Sequence, residues 1–228
     1  MTMTEIRPLL ESGQWFSHLP PALRDALLGE ARLLQLEPGQ RLFRRGDPPC
    51  GLYAVLEGMM RVGAVSRDGK EALLTLVEPP YWFGEISLFD GQPRTHDAYA
   101  GGPARLLQVP QAALQALLSR EPGYWRDFAL LMSQKLRLAF IALEEMSLLP
   151  AAPRLARRLL MMAEGYGETG PRRVLHLAQE QLALMLGLSR QTTNQILKDL
   201  EARGALRLTY GEIEITDLGT LRQAAGVA

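Results

Sequence analysis

Hydrophobic positions change their spacing twice along this chain. Residues 5–36 carry apolar side chains at helical intervals, broken at Pro20-Pro21, and this predicts short helices with the second restarting at Pro21. From Glu37 to about Val109 the pattern becomes short apolar runs between turn signals. The runs are Leu42-Phe43, Leu52–Leu56, Arg61–Val65, Ala72–Val77 and Ala104–Val109. The turns include Pro38-Gly39, Gly46-Asp47-Pro48, Glu57-Gly58, Asp68-Gly69, Pro79-Pro80, Asp90-Gly91 and Gly101-Gly102-Pro103. Strands at roughly 8–12-residue spacing predict an antiparallel barrel or double-sheet jelly roll, with Asp68-Gly69 as a hairpin turn.

Helical spacing returns at Pro110, first in a short helix through Leu118 and then in Tyr124–Leu149. No Gly or Pro interrupts the second stretch, and good helix formers dominate it. Ala129, Met132, Leu136, Ala139, Leu143 and Met146 alternate at three and four residues, a heptad seam suited to pairing with another helix. A second apolar line through Phe128, Leu131, Leu138, Ile141 and Ala142 gives the helix another face to cover. Pro150-Ala-Ala-Pro153 breaks it and reads as a hinge, followed by a helix from Arg154 to Met162 and a loop over Glu164–Pro171.

Residues 179–203 read QEQLALMLGLSRQTTNQILKDLEAR. Gln179–Leu186 predicts a helix, Gly187 the left-handed residue that ends it, and Ser189 the cap of the next. On that helix Ile196, Leu197 and Leu200 turn inward, leaving Arg190, Gln191, Asn194, Gln195 and Lys198 on the opposite face. Arg can meet guanine O6 and N7 together, and Gln can meet adenine N6 and N7 together. A solvated helix face would look the same, but Leu206–Leu208, a Tyr210-Gly211 turn and Glu212–Ile215 follow as a hairpin. The ensemble predicts a winged helix-turn-helix.

Charge adds a lean in the same direction. The 228 residues carry no formal net charge, but residues 1–150 hold 15 Lys+Arg and 17 Asp+Glu, whereas 151–228 hold 10 and 8. Cys50 is the sole cysteine, which excludes an intramolecular disulfide and a cysteine-based metal cluster. His18, His96 and His176 are scattered, so no metal site and no Ser/His/Asp or Cys/His catalytic set is assigned. No apolar run reaches ~18 residues, and the N-terminus lacks a signal-peptide pattern, so a cytoplasmic protein is expected.

The chain resembles the CRP/FNR family of bacterial transcription regulators over nearly its whole length. Phe83-Gly-Glu-Ile-Ser-Leu-Phe-Asp-Gly-Gln-Pro-Arg94-Thr95 is similar to the family's phosphate-binding cassette, and the run from Arg190 to its recognition helix. The resemblance implies a ligand site at Gly84, Glu85, Arg94 and Thr95, with a cyclic nucleotide as effector. Arg94 offers a forked guanidinium to a phosphate, and Glu85 could accept from a ribose hydroxyl. An Arg94–Glu85 ion pair that only holds the barrel together would use the same residues.

The sequence departs from the family at four places. His96 follows Arg94-Thr95 where the family has a small residue. Pro79-Pro80-Tyr81-Trp82 replaces a Gly-Asp. Ala139 and Phe140 stand where the cyclic-AMP receptor has an adenine-contacting Thr-Ser pair. Neither can hydrogen-bond a base through its side chain, although Phe140 could stack on one, and this counts against cyclic AMP among the cyclic nucleotides. Gln191 and Gln195 replace the Glu and Arg base readers.

The expected fold is α+β: an N-terminal antiparallel double-stranded β-helix (jelly roll), a long dimerisation helix and a C-terminal winged helix-turn-helix. The expected divisions are 1–123 as sensor, 124–149 as dimer helix and 150–228 as DNA-binding domain. The expected function is a ligand-responsive homodimeric regulator reading a pseudo-palindromic double-stranded operator, with RNA polymerase as the partner the resemblance implies. Ser189 and Lys198 would hold phosphates, and Arg190, Gln191 and Gln195 would meet base edges. Alternatives are the same regulator with a non-nucleotide ligand or none, and, more distantly, a jelly-roll metal enzyme.

Overall fold

The computed structural model describes residues 3–66, 68, 69, 71–167 and 172–227. The chain forms two compact units, one up to Arg137 and one from Leu138.

The first unit begins with α1 (Met3–Glu11), α2 (Gln14–His18) and α3 (Pro21–Gly29). Then come β1 (Arg32–Leu36), β2 (Arg41–Phe43), β3 (Gly51–Glu57), β4 (Met60–Val65), β5 (Glu71–Val77), β6 (Trp82–Phe83), α4 (Ile86–Asp90), β7 (Asp97–Ala100) and β8 (Ala104–Pro110). The strands make two four-stranded sheets, ordered β1-β8-β3-β6 and β2-β7-β4-β5, with every pairing antiparallel. This is the expected double-sheet roll. Apolar spacing predicts helix as far as residue 36, but the last five residues are strand β1, paired along its length with β8. The run Arg-Leu-Leu-Gln-Leu is too short for periodicity to separate helix from strand, and the cross-strand partner decides it.

Strand β3 explains how the roll and its helices share a core. Leu52, Ala54 and Leu56 face the helical layer, with Ile6, Leu10, Phe16, Leu23, Leu27, Leu114 and Phe128. Tyr53 and Val55 face the roll interior, with Phe43, Met60, Phe83, Ala98 and Leu106. Residues two apart share a face of a strand, so a strand covered on both sides is apolar throughout.

After α5 (Gln111–Arg120) comes α6 (Trp125–Leu148), the predicted long helix. Its N-terminal half is fixed to the first unit by buried Phe128 and Leu131. The Trp15 indole N–H also donates to the Asp127 carbonyl at 2.8 Å. The expected seam is a mixed face: Ala129 and Met132 are half-buried, while Leu136, Ala139, Leu143 and Met146 are exposed.

The second unit contains the rest of α6, α7 (Ala151–Ala163), β9 (Val174–Leu175), α8 (Gln179–Leu186), α9 (Arg190–Ala202), β10 (Leu206–Thr209), β11 (Glu212–Ile215) and α10 (Leu218–Ala225). Only Leu149 and Pro150 separate α6 from α7. Pro153 lies inside the first turn of α7, where the missing N–H costs no helical bond. The wing is a three-stranded sheet, β10-β11-β9, because Val174-Leu175 adds an edge that no sequence pattern announced. Of the expected 164–171 loop, residues 168–171 lie outside the described residues.

Candidate ligand cassette and nucleic-acid interface

Gly84 follows β6 at φ +97°, and a Cβ there would lie 3.0 Å from both Arg94 Nη1 and the Gly51 carbonyl oxygen. Glycine is therefore required twice, by backbone angle and by space. Helix α4 ends at left-handed Gly91, and the chain returns through Gln92-Pro93 to Arg94. The Arg94 backbone is pinned to the 44–47 turn: its N–H donates to the Asp47 carbonyl and its carbonyl accepts from Gly46, both at 2.8 Å.

The Arg94 side chain runs inward and is only 4% exposed. Nη1 donates to the Gly84 carbonyl at 2.7 Å, and Nη2 donates to the Gly51 carbonyl at 2.5 Å and to Cys50 Sγ at 3.1 Å. The guanidinium carbon sits 4.6 Å from the centre of the Phe43 ring and 5.8 Å from that of Tyr53. Nε is buried with no partner among the described residues. The Tyr53 hydroxyl donates to Cys50 Sγ and accepts from the Gln108 amide, both at 3.1 Å. Burial, then the Cys50 contact, pushes the phenol well above its ordinary pKa. Thr95 is exposed, and its hydroxyl lies 2.9 Å from His96 Nδ1. Burial and the nearby Arg45 charge hold the half-buried His96 below its ordinary pKa, against an opposing pull from Asp97.

Glu85 is 3% exposed and does not pair with Arg94. Its carboxylate accepts from Lys135 Nζ at 2.6 Å, and the same ammonium donates to the Trp82 carbonyl at 2.7 Å. The Arg94–Glu85 pair considered from sequence is thus replaced by two separate arrangements. Arg94 is satisfied by carbonyls and Glu85 by α6. Lys135 is the residue that sequence reasoning missed. The signal was present: Lys135 interrupts the apolar line Phe128, Leu131, Leu138, Ala142, and a cation on a buried line needs a carboxylate opposite.

In chemical terms the cassette presents a buried, aromatic-flanked guanidinium whose donors rest on neutral acceptors. An anion would give those donors charge-assisted bonds in place of neutral ones. Among the described residues no group of three His, Cys, Asp or Glu could hold a metal ion.

The second candidate surface lies on α9. Ser189 caps it, its hydroxyl accepting from the Thr192 N–H at 3.0 Å, and Gly187 ends α8 at φ +63°. Thr193, Ile196, Leu197 and Leu200 are buried, while Ser189, Arg190, Gln191, Gln195 and Lys198 are exposed. Asn194 departs from the expected reading face: it is half-buried, and its amide donates to Gln179 on α8 at 2.9 Å. It lies toward the helix pair because α8 crosses that edge of α9. Arg190 pairs with Glu180 at 2.7 Å, and Gln195 donates to Asp199 at 3.0 Å. The wing is tied to α9 through Glu201, which accepts from the Leu208 N–H at 2.7 Å. Ala139 and Phe140 are exposed on α6, Phe140 to 61%.

Comparison with known proteins assigns the two parts of the chain to two domain families. Residues 33–121 match the cyclic nucleotide-binding domain family, and residues 153–224 match the Crp-like helix-turn-helix domain family. A CRP-like cAMP-activated global transcriptional regulator of Mycobacterium tuberculosis is 31% identical over 213 residues, covering 92% of this chain and 95% of that protein. The transcriptional regulator SdrP of Thermus thermophilus is 33% identical over 195 residues, covering 80% of this chain and 92% of that one. The crystal structure of a CRP/FNR-family transcriptional regulator from Thermus thermophilus superposes with a TM-score of 0.67 at 30% identity, covering 86% of this chain and 98% of that one. FixK2 of Bradyrhizobium japonicum, at 19% identity and a TM-score of 0.78 over 87% of this chain and 98% of that one, shares the fold. The relatives are named as transcription regulators rather than enzymes, so the jelly-roll metal enzyme is set aside. Among the described residues no helix is long and apolar enough to cross a membrane. With a cyclic-nucleotide-binding roll joined by one long helix to a winged helix-turn-helix, the chain belongs to the CRP/FNR family of DNA-binding transcription regulators.

Proposed function

We propose that two copies of this chain pair along α6 and that the paired chains read a pseudo-palindromic operator under control of a phosphate-bearing effector. Residues 1–123 serve as the sensor, 124–149 as the dimer helix and 150–228 as the DNA-binding domain. The effector class is a cyclic nucleotide or a similar small phosphate, seated by Gly84, Glu85, Arg94 and Thr95. The observation that carries this reading is the Lys135 bridge, which ties a cassette carboxylate to the same helix that presents an apolar line outward.

Leu136, Phe140, Leu143 and Met146 are between 53% and 61% exposed. Apolar side chains repeated on one helix line are the pattern that a partner helix covers. An effector hydroxyl that competes for Glu85 would loosen Lys135, and an anion at Arg94 would draw its donors from Gly84 and Gly51. Only differential affinity for two arrangements of α6 converts such binding into regulation. Ala139 and Phe140 argue against a base read by side-chain hydrogen bonds from α6. On DNA, Arg190, Gln191 and Gln195 meet base edges, and Ser189 and Lys198 meet phosphates, in half-sites about 34 Å apart.

A second reading has a specific support. The Arg94 donors already rest on two carbonyls and a sulfur, so the roll holds its guanidinium without an anion. In that reading the chain binds its operator with no effector.

Native mass spectrometry of the purified protein against cyclic mononucleotides and cyclic dinucleotides separates these. A dimer that retains one of them supports the first reading. A dimer that retains none, yet binds selected DNA, supports the second. A monomer at micromolar concentration overturns the pairing.

A further inference from the structure

Helix α6 carries two charged residues on the line that faces its own protein. Phe128, Leu131, Lys135, Leu138, Ala142 and Glu145 recur at spacings of three and four, and so share one side. Lys135 meets Glu85. Glu145 is the second charge, and from Leu138 to the end of α6 it is the one buried residue, at 5% exposure. Its neighbours are open: Leu143 is 59% exposed and Leu148 is 70% exposed. From Leu138 onward, then, the side chain of α6 most withdrawn from water is a carboxylate, while Leu138 and Ala142 on the same line are only half-buried.

The partner is Arg157 on α7, whose Nη1 lies 3.7 Å from the Glu145 carboxylate. The same guanidinium donates from Nε to the carbonyl of Ala225, at the end of α10, at 2.9 Å. A carboxylate withdrawn from water needs a cation, and the carbonyl end of a helix attracts one. Both demands fall on one planar side chain across the break at Leu149-Pro150. Arg154 adds a longer bond of 3.4 Å to the Met146 carbonyl.

We propose that Arg157 is a positioning residue: gripping Glu145 and the end of α10 together, it sets the angle at which α6 delivers the helix-turn-helix, and so the half-site spacing that two paired chains read. The inference rests on the pairing proposed above. A two-residue connection leaves the direction of the following helix open, and a three-way ionic and hydrogen-bonded junction closes it. The base-reading side chains of α9 take no part in the junction, so half-site sequence and half-site spacing separate as properties.

The test is selection from random DNA, followed by binding to the selected site with one base pair inserted or deleted between the half-sites. Wild-type protein, Glu145→Gln and Arg157→Met are compared. The expected result is the same half-site sequence for all three, with the variants' penalty for a changed spacing reduced by about tenfold, within the usual size of a coupling between sites. Should Arg157→Met fail to fold, the isosteric Glu145→Gln decides alone. A spacing penalty in Glu145→Gln equal to wild type overturns the proposal, as does a changed half-site sequence. A wild-type protein that selects single half-sites overturns the pairing itself and the proposal with it.

Discussion

Lys135 on α6 lies 2.6 Å from the carboxylate of Glu85, a residue 3% exposed in the ligand cassette. The contact converts a feature of the roll into a property of the long helix. Lys135→Met leaves that carboxylate without its cation. The expected cost is about 2 kcal/mol in denaturant unfolding, below the full cost of breaking a buried pair because Lys135 keeps some solvent. Glu85→Gln in the same background should recover most of it. A Lys135→Met protein as stable as wild type would show that the pair contributes nothing.

Arg94 has a structural duty beside the binding role proposed for it. Arg94→Leu removes the donors to the Gly84 and Gly51 carbonyls, and unsatisfied buried acceptors cost about 1–3 kcal/mol each. Were Arg94 a binding residue alone, its loss would leave folding intact and remove only the effector response. The structure predicts a thermal midpoint lowered as well, with calorimetric binding of any retained effector abolished. Unchanged effector affinity would remove Arg94 from the site.

His96 gives the roll an acid sensitivity of definite sign. Its folded pKa lies below the ordinary 6.5, through burial first and Arg45 second. As pH falls, the unfolded chain takes up this proton before the folded one does. The stability held by the neutral ring is complete above about pH 6.5 and is lost as pH falls through the lower folded value. His96→Gln should therefore flatten the decline of the unfolding midpoint between pH 7 and 5. An identical decline in both proteins would assign the acid sensitivity elsewhere.

Gln191 is exposed one residue into α9, and Arg190 beside it is held by Glu180. Gln191→Ala should relax preference at one base pair by about 1–3 kcal/mol and leave the others unchanged. Selection from a random DNA library giving one motif for both proteins would exclude Gln191 from base reading.

Much of this was legible along the chain, for local reasons. Gly187 and Ser189 bracket the turn between α8 and α9 because left-handed backbone and an N-cap hydroxyl are demands a few residues make of themselves. The long helix was legible because twenty-four residues without Gly or Pro leave helix as the favoured backbone. The cassette motif stood out through family resemblance, and Gly84 within it now has its steric cause.

What the sequence could not carry was partnership at a distance. Residues 32–36 became a strand only because β8 lies beside them, seventy-odd positions on. Asn194 left the reading face because Gln179 claimed its amide. Glu85 faced Lys135 rather than Arg94, although Arg94 is nearer in sequence. By itself, then, the chain determined its elements, their order and the residue types available to bind phosphate and DNA, because periodicity, caps and breakers act within a few residues. Only the tertiary structure decided which charges meet, because ions removed from water must find each other across space, whatever their separation along the chain.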